Sequence, residues 1–178
     1  MKITGYKLQH AIREAMALRD LAASQWDGVL YAFEDEHKPT PAGVMGLYLF
    51  HEHRLCALQV GLARYNLAVT VQVQGAPMTL CEAVKRVGGA GRAEKMWRMA
   101  ATGGKKDRYE RELDRKRSTG ETHAQRTTPT DEAVKRATGA GRFAAALREA
   151  IQVGNATEVE IGINPAAFEA TCEIEGKE

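Results

Sequence analysis

The 178-residue sequence predicts a mainly α protein: an antiparallel long-helix hairpin, a duplicated short helix-turn-helix unit and a small two-stranded β-ribbon. Three observations carry that expectation. Apolar residues recur at alternating steps of three and four through the first third of the chain, only two short runs alternate as strands do, and one eleven-residue phrase occurs twice. Composition agrees: aromatics are 6% of residues and Ala is abundant, which suits helices packed through small side chains. The length fits a single domain over 1–178 with a real core. Within it we expect a hairpin over 1–67, a strand and first repeat over 68–102, a mobile charged loop over 103–129, and a second repeat, strand and acidic tail over 130–178.

From Tyr6 to about Glu36, the positions Leu8, Ile12, Ala15, Ala22, Trp26, Val29 and Phe33 form the stripe of one helix roughly 45 Å long. Lys38-Pro39-Thr40-Pro41 ends it, because Pro cannot continue a helix and pushes the preceding residue toward an extended conformation. Thr40 is placed to cap a second helix with Pro41 in its first turn, and Val44, Tyr48, His51, Leu55, Leu58, Leu62 and Tyr65 repeat the stripe. A short connection sets the two antiparallel. Val69, Val71 and Val73 then alternate with polar residues up to Gly75, and Thr157–Ile163 is a second such run; the two are expected to pair. Asn164-Pro165 reads as a turn or a new helix start.

The repeated phrase is EAVKRVGGAGR from Glu82 to Arg92 and EAVKRATGAGR from Glu132 to Arg142. Thr79 with Glu82 makes a capping-box pattern before the first copy, and Thr128-Pro129-Thr130-Asp131 signals a helix start before the second. The glycines kept in both copies, Gly89 with Gly91 and Gly139 with Gly141, are two apart, a spacing that does not line up on one helical face. They are therefore read as structural turns at which one helix stops and the next begins. A dinucleotide fingerprint is excluded, since the third glycine is missing and a helix precedes the motif.

Charge is uneven along the chain. Residues 82–148 hold seventeen basic and nine acidic side chains, and 149–178 hold one and seven. Lys85, Arg86, Arg92, Lys95, Arg98, Lys135, Arg136 and Arg142 are thus the expected contacts to an anion or to nucleic-acid phosphates. No catalytic residue, metal ligand or cofactor is assigned. His51 and His53 point about 200° apart on a helix and cannot chelate one metal ion, so His51 is read as a hydrogen-bonded interface residue. Cys56, Cys81 and Cys172 are far apart and read as buried thiols. No run approaches the roughly 20 apolar residues of a membrane span, and Met1-Lys2-Ile3 lacks a signal-peptide core, so a cytoplasmic location without membrane contact is expected.

The hairpin, then Ala63-Arg64-Tyr65-Asn66, then Gly75-Ala76-Pro77-Met78-Thr79-Leu80-Cys81-Glu82-Ala83 opening a further helix, resembles the uncharacterised septicolysin-like bacterial family of long-helix hairpin proteins over about half the chain. The resemblance implies a helical, oligomer-forming protein with no established activity. The sequence thus leads us to expect a non-enzymatic assembly or interaction protein of bacterial or phage type, a homo-oligomer because a bare hairpin exposes apolar surface. The alternative is a nucleic-acid-binding protein using region 82–148.

Overall fold

The structure, a computed structural model, describes residues 1–34, 36–102 and 128–168. Its elements are β1 (Lys2–Ile3), α1 (Gly5–Ser24), α2 (Trp26–Val29), α3 (Pro41–Ala68), β2 (Thr70–Val73), β3 (Ala76–Thr79), α4 (Leu80–Thr102), α5 (Thr130–Ala156), β4 (Val159–Glu160) and a 3₁₀ turn, Pro165–Phe168. The protein is mainly helical with small antiparallel β-ribbons. The chain divides into two compact units, one of 1–70 with 153–178 and one of 71–152. The charged loop expected over 103–129 lies outside the described residues except for Thr128 and Pro129. So do the acidic tail beyond Phe168 and Cys172.

The first unit is built on the expected hairpin. Thr4 caps α1, its hydroxyl accepting from the Lys7 N–H, and Thr40 caps α3 by accepting from the Gly43 N–H, with Pro41 in the first turn. Leu8, Ala11, Ala15 and Ala22 of α1 belong to one buried core with Val44, Leu55, Leu58 and Tyr65 of α3. Ion pairs Glu14–Arg54 and Arg19–Glu52 cross between the two helices in antiparallel order. β1 pairs antiparallel with β4, Lys2 opposite Glu160 and Ile3 opposite Val159. The Asn164 side chain accepts from the Ala166 N–H and opens the 3₁₀ turn.

α1 is shorter than its apolar spacing predicts. The expected helix to Glu36 stops at Ser24: the Ser24 hydroxyl bonds the Leu21 carbonyl, and the Gln25 N–H turns to the carbonyls of Ala22 and Ala23. The short helix α2 carries on to Val29, and Phe33 is 81% exposed rather than part of the stripe. The strands also pair differently. β2 pairs with β3 across a two-residue turn in which Gln74 (φ 52°) and Gly75 (φ 82°) both take positive φ, the geometry of a type I′ hairpin. A partner two residues away forms a ribbon at far lower entropic cost than one some eighty residues on. Pro77 conceals β3 in the sequence, yet a ribbon of two strands has only edges, where Pro is tolerated.

The second unit contains the repeats, and here the glycine turns are corrected. α4 runs without a break through Gly88, Gly89 and Gly91, and α5 through Gly139 and Gly141; neither copy is a helix-turn-helix. Among the described residues positive φ occurs only at Gln74 and Gly75, so none of the four glycines terminates a helix. What the two copies share instead is one buried seam. Ala83, Val87, Ala90, Glu94, Trp97 and Ala101 are buried or half-buried on α4, and the positions fifty residues on, Ala133, Ala137, Ala140, Ala144, Leu147 and Ile151, are so on α5. Alternating steps of four and three keep such a seam on one side of each helix.

Candidate functional site

Long side chains bridge α4 and α5 at three places, and their order along the two helices is antiparallel. The Arg136 guanidinium lies 4.7 Å from the centre of the Trp97 ring, a Cβ at Gly141 would stand 3.3 Å from Glu94 Oε1, and a Cβ at Gly91 would stand 3.8 Å from Arg148 Nη2. Gly91 and Gly141 are equivalent in the repeat, and each lies beneath a long side chain of the other helix. The approach is tighter than ordinary van der Waals contact at Gly141 only; at Gly91 a Cβ would make an ordinary contact. Gly89 and Gly139 are exposed with open space around them, and nothing in the structure explains their lack of a side chain.

All eight basic residues singled out in the sequence are exposed. Three are held by carboxylates one turn away on their own helix: Arg86 by Glu82 at 2.6 Å, Arg98 by Glu94 at 2.7 Å and Arg136 by Glu132 at 2.5 Å. Lys85, Arg92, Lys95, Lys135 and Arg142 have no ion-pair partner among the described residues. An open cavity of about 480 Å³ between α4 and α5 is lined by Arg98, Thr102, Val134, Thr138 and Gly141 among others. Neither Arg92 nor Arg142 lines it, so the equivalent arginines of the repeat do not share it.

The first unit holds polar groups that sequence reasoning missed. Arg54 is 5% exposed: its Nε donates to the Ala167 carbonyl at 2.9 Å and one Nη lies 3.3 Å from Glu14, while the other, Nη1, is buried without a partner among the described residues. One turn earlier, His51 is 6% exposed, its ring edge-on to Phe50 and its Nδ1 unpaired among the described residues. This corrects the expectation of a hydrogen bond there. Burial, and then the positive charge of Arg54, hold the His51 imidazole below its usual pKa and keep it neutral. Farther along, Gln9 Nε2 donates to Asn155 Oδ1 at 3.1 Å. The Tyr65 hydroxyl lies 2.6 Å from the carbonyls of both Gly154 and Thr157, and burial raises its pKa. The i, i+3 spacing of His51 and Arg54 was visible in the sequence, but their burial was not.

Apolar surface is left open on the same unit. α3 carries a second stripe, Met45, Leu49, Cys56, Val60, Ala63 and Leu67, all exposed, on the side away from the residues that meet α1. Cys56 is therefore a surface thiol and Cys81 is half-buried, contrary to the expected burial. At one end of the hairpin, Ala22, Ala23, Trp26, Val44, Met45 and Tyr48 line an apolar hollow of about 280 Å³. Among the described residues no three His, Cys, Asp or Glu side chains converge to hold a metal ion, and no helix is long and apolar enough to cross a membrane.

Fold and polar contacts together define a mainly helical protein whose first unit is built on a capped antiparallel hairpin. No family model matches the chain, and no curated protein does. A similar arrangement occurs in the crystal structure of a functionally unknown conserved protein from Corynebacterium diphtheriae, with a TM-score of 0.58 at 18% identity over 90% of this chain and 100% of that one. At that identity the likeness concerns the fold alone.

Proposed function

We propose that this is a non-enzymatic assembly protein that acts in the cytoplasm by associating with further copies of itself. The second apolar stripe on α3 carries the reading. A helix that is apolar on two opposite sides is normally covered on both, and α1 covers only one. The buried polar groups, Arg54, Tyr65 and Asn155, tie helices and turns together and serve as framework. The resemblance to the septicolysin-like family points the same way.

Sedimentation velocity across a concentration series tests it. The wild type is expected to associate equally at 0.05 M and 1 M salt, and Leu49→Glu to lower the association constant at least tenfold with unchanged circular dichroism. A monomer at every concentration would sink the proposal.

The nucleic-acid reading keeps one supporting observation, the five exposed basic side chains without ion-pair partners among the described residues. It requires duplex binding that weakens steeply with salt and is lost on replacing Lys85, Lys95 and Lys135 by Ala. Absence of binding at 0.05 M salt would dispose of it.

A further inference from the structure

We infer that the open face of α3 pairs with the same face of a second copy, antiparallel, about a twofold axis that passes at Cys56. The inference rests on the self-association reading and specifies its geometry. Along the stripe the positions are Met45, Leu49, then Glu52, then Cys56, Val60, Ala63 and Leu67, separated by steps of four, three, four, four, three and four. That spacing reads the same from either end. All seven directions fall within about 80° of one another on an α-helix, and they extend over about 33 Å of its length.

Reversal about Cys56 matches every position with another stripe position. Met45 meets Leu67, Leu49 meets Ala63, Glu52 meets Val60, and Cys56 meets itself. Large side chains are thereby set against small or flexible ones, as interdigitation requires. A parallel pair in register would instead place Glu52 against Glu52 at the middle of the contact and Ala63 against Ala63, giving a carboxylate repulsion and a void. In the antiparallel pair Glu52 enters the interface already bound to Arg19 at 3.3 Å, so the charge facing Val60 is partnered. Opposed helix dipoles favour the same arrangement.

The area suits a weak dimer that exchanges with monomer. A strip about 33 Å by 10 Å on each copy, with the flanking exposed residues His53, Ala57 and Gln59, brings the total to about 1,000 Å², the lower bound for a specific interface. Exchange between monomer and dimer at micromolar concentration is the corresponding expectation.

The test uses the full chain and surface positions, with thermal unfolding to check that each variant is folded. In a Cys81→Ser, Cys172→Ser background, a short bismaleimide should cross-link Cys56 to Cys56. With Cys56→Ser added, mixing a Leu49→Cys chain with an Ala63→Cys chain should give the mixed cross-link, and Leu49→Cys alone should give none. Val60→Glu should weaken the dimer at least tenfold by facing Glu52, whereas Val60→Lys should preserve or tighten it. Cross-linking of Leu49→Cys with itself, or equal weakening by Val60→Glu and Val60→Lys, would show a parallel pair. A dimer indifferent to Val60→Glu and without the Cys56 cross-link would show another face. Either result overturns this geometry and leaves self-association standing, while a monomer throughout overturns both.

Discussion

The hydroxyl of Tyr65 near the end of α3 stands 2.6 Å from the carbonyl oxygen of Gly154 near the end of α5. It stands equally close to the Thr157 carbonyl just past that helix. One phenolic hydrogen is thus shared between two acceptors, in a side chain with no solvent exposure. Tyr65→Phe keeps the ring and removes the donor, which leaves the buried Gly154 carbonyl without this bond. The expected cost is about 1–2 kcal/mol. Chemical denaturation should show the loss with an unchanged denaturant slope, and a variant as stable as wild type would mean the hydroxyl contributes nothing.

His51 makes stability depend on pH. Its folded-state pKa lies below the unfolded value near 6.5, so the unfolded chain binds the proton more readily. The contribution is therefore complete above the unfolded pKa and is lost as pH falls from there through the folded pKa. The wild type should lose stability between pH 7 and pH 5 relative to His51→Gln, since the variant lacks this titration. Parallel stability curves for the two proteins across that range would refute the assignment.

Gly61 is a close-approach point within the first unit. A Cβ there would run into the side chain of Ile163. Gly61→Ala should destabilise by about 1–3 kcal/mol through overpacking. The double change Gly61→Ala, Ile163→Ala should cost less than the two single changes added together, because the second empties the space the first needs. Strict additivity in thermal unfolding would contradict the contact.

The repeat glycines separate a continuous helix from a turn. In the helices seen here Gly89→Ala and Gly139→Ala place a Cβ in open space, and each should stabilise by about 0.5–1 kcal/mol. Were these glycines turns with positive φ, the same substitutions would destabilise. Gly141→Ala should gain less, since its Cβ would come within 3.3 Å of Glu94 Oε1 and that carboxylate must move. A melting-temperature series over the three variants decides the matter.

Much of the scaffold was legible along the sequence. Pro41 and the capping threonines Thr40 and Thr79 act within a turn of their own positions, and the apolar stripe of α3 is a property of one helix. The shortened α1 was not legible, since Trp26, Val29 and Phe33 keep helical spacing and only the bonds around Ser24 break the helix. The candidate surface was half legible. Its apolar residues lie in plain view, but the stripe beside them, from Val44 to Tyr65, has the same helical spacing, and nothing local says which of the two α1 covers.

The repeat marks the boundary between what each level decides. By itself the sequence determined that two segments fifty residues apart are the same kind of helix, because Glu82 with Arg86 and Glu132 with Arg136 pair within one turn. Only the tertiary structure decided what the glycines are for. A glycine two residues from another reads as a turn while its helix is considered alone; with a second helix alongside, Gly141 becomes the place where Glu94 of the other helix comes closer than a Cβ ordinarily allows. Local terms of about 1 kcal/mol per glycine are outweighed by the burial of apolar side chains along the rest of each helix.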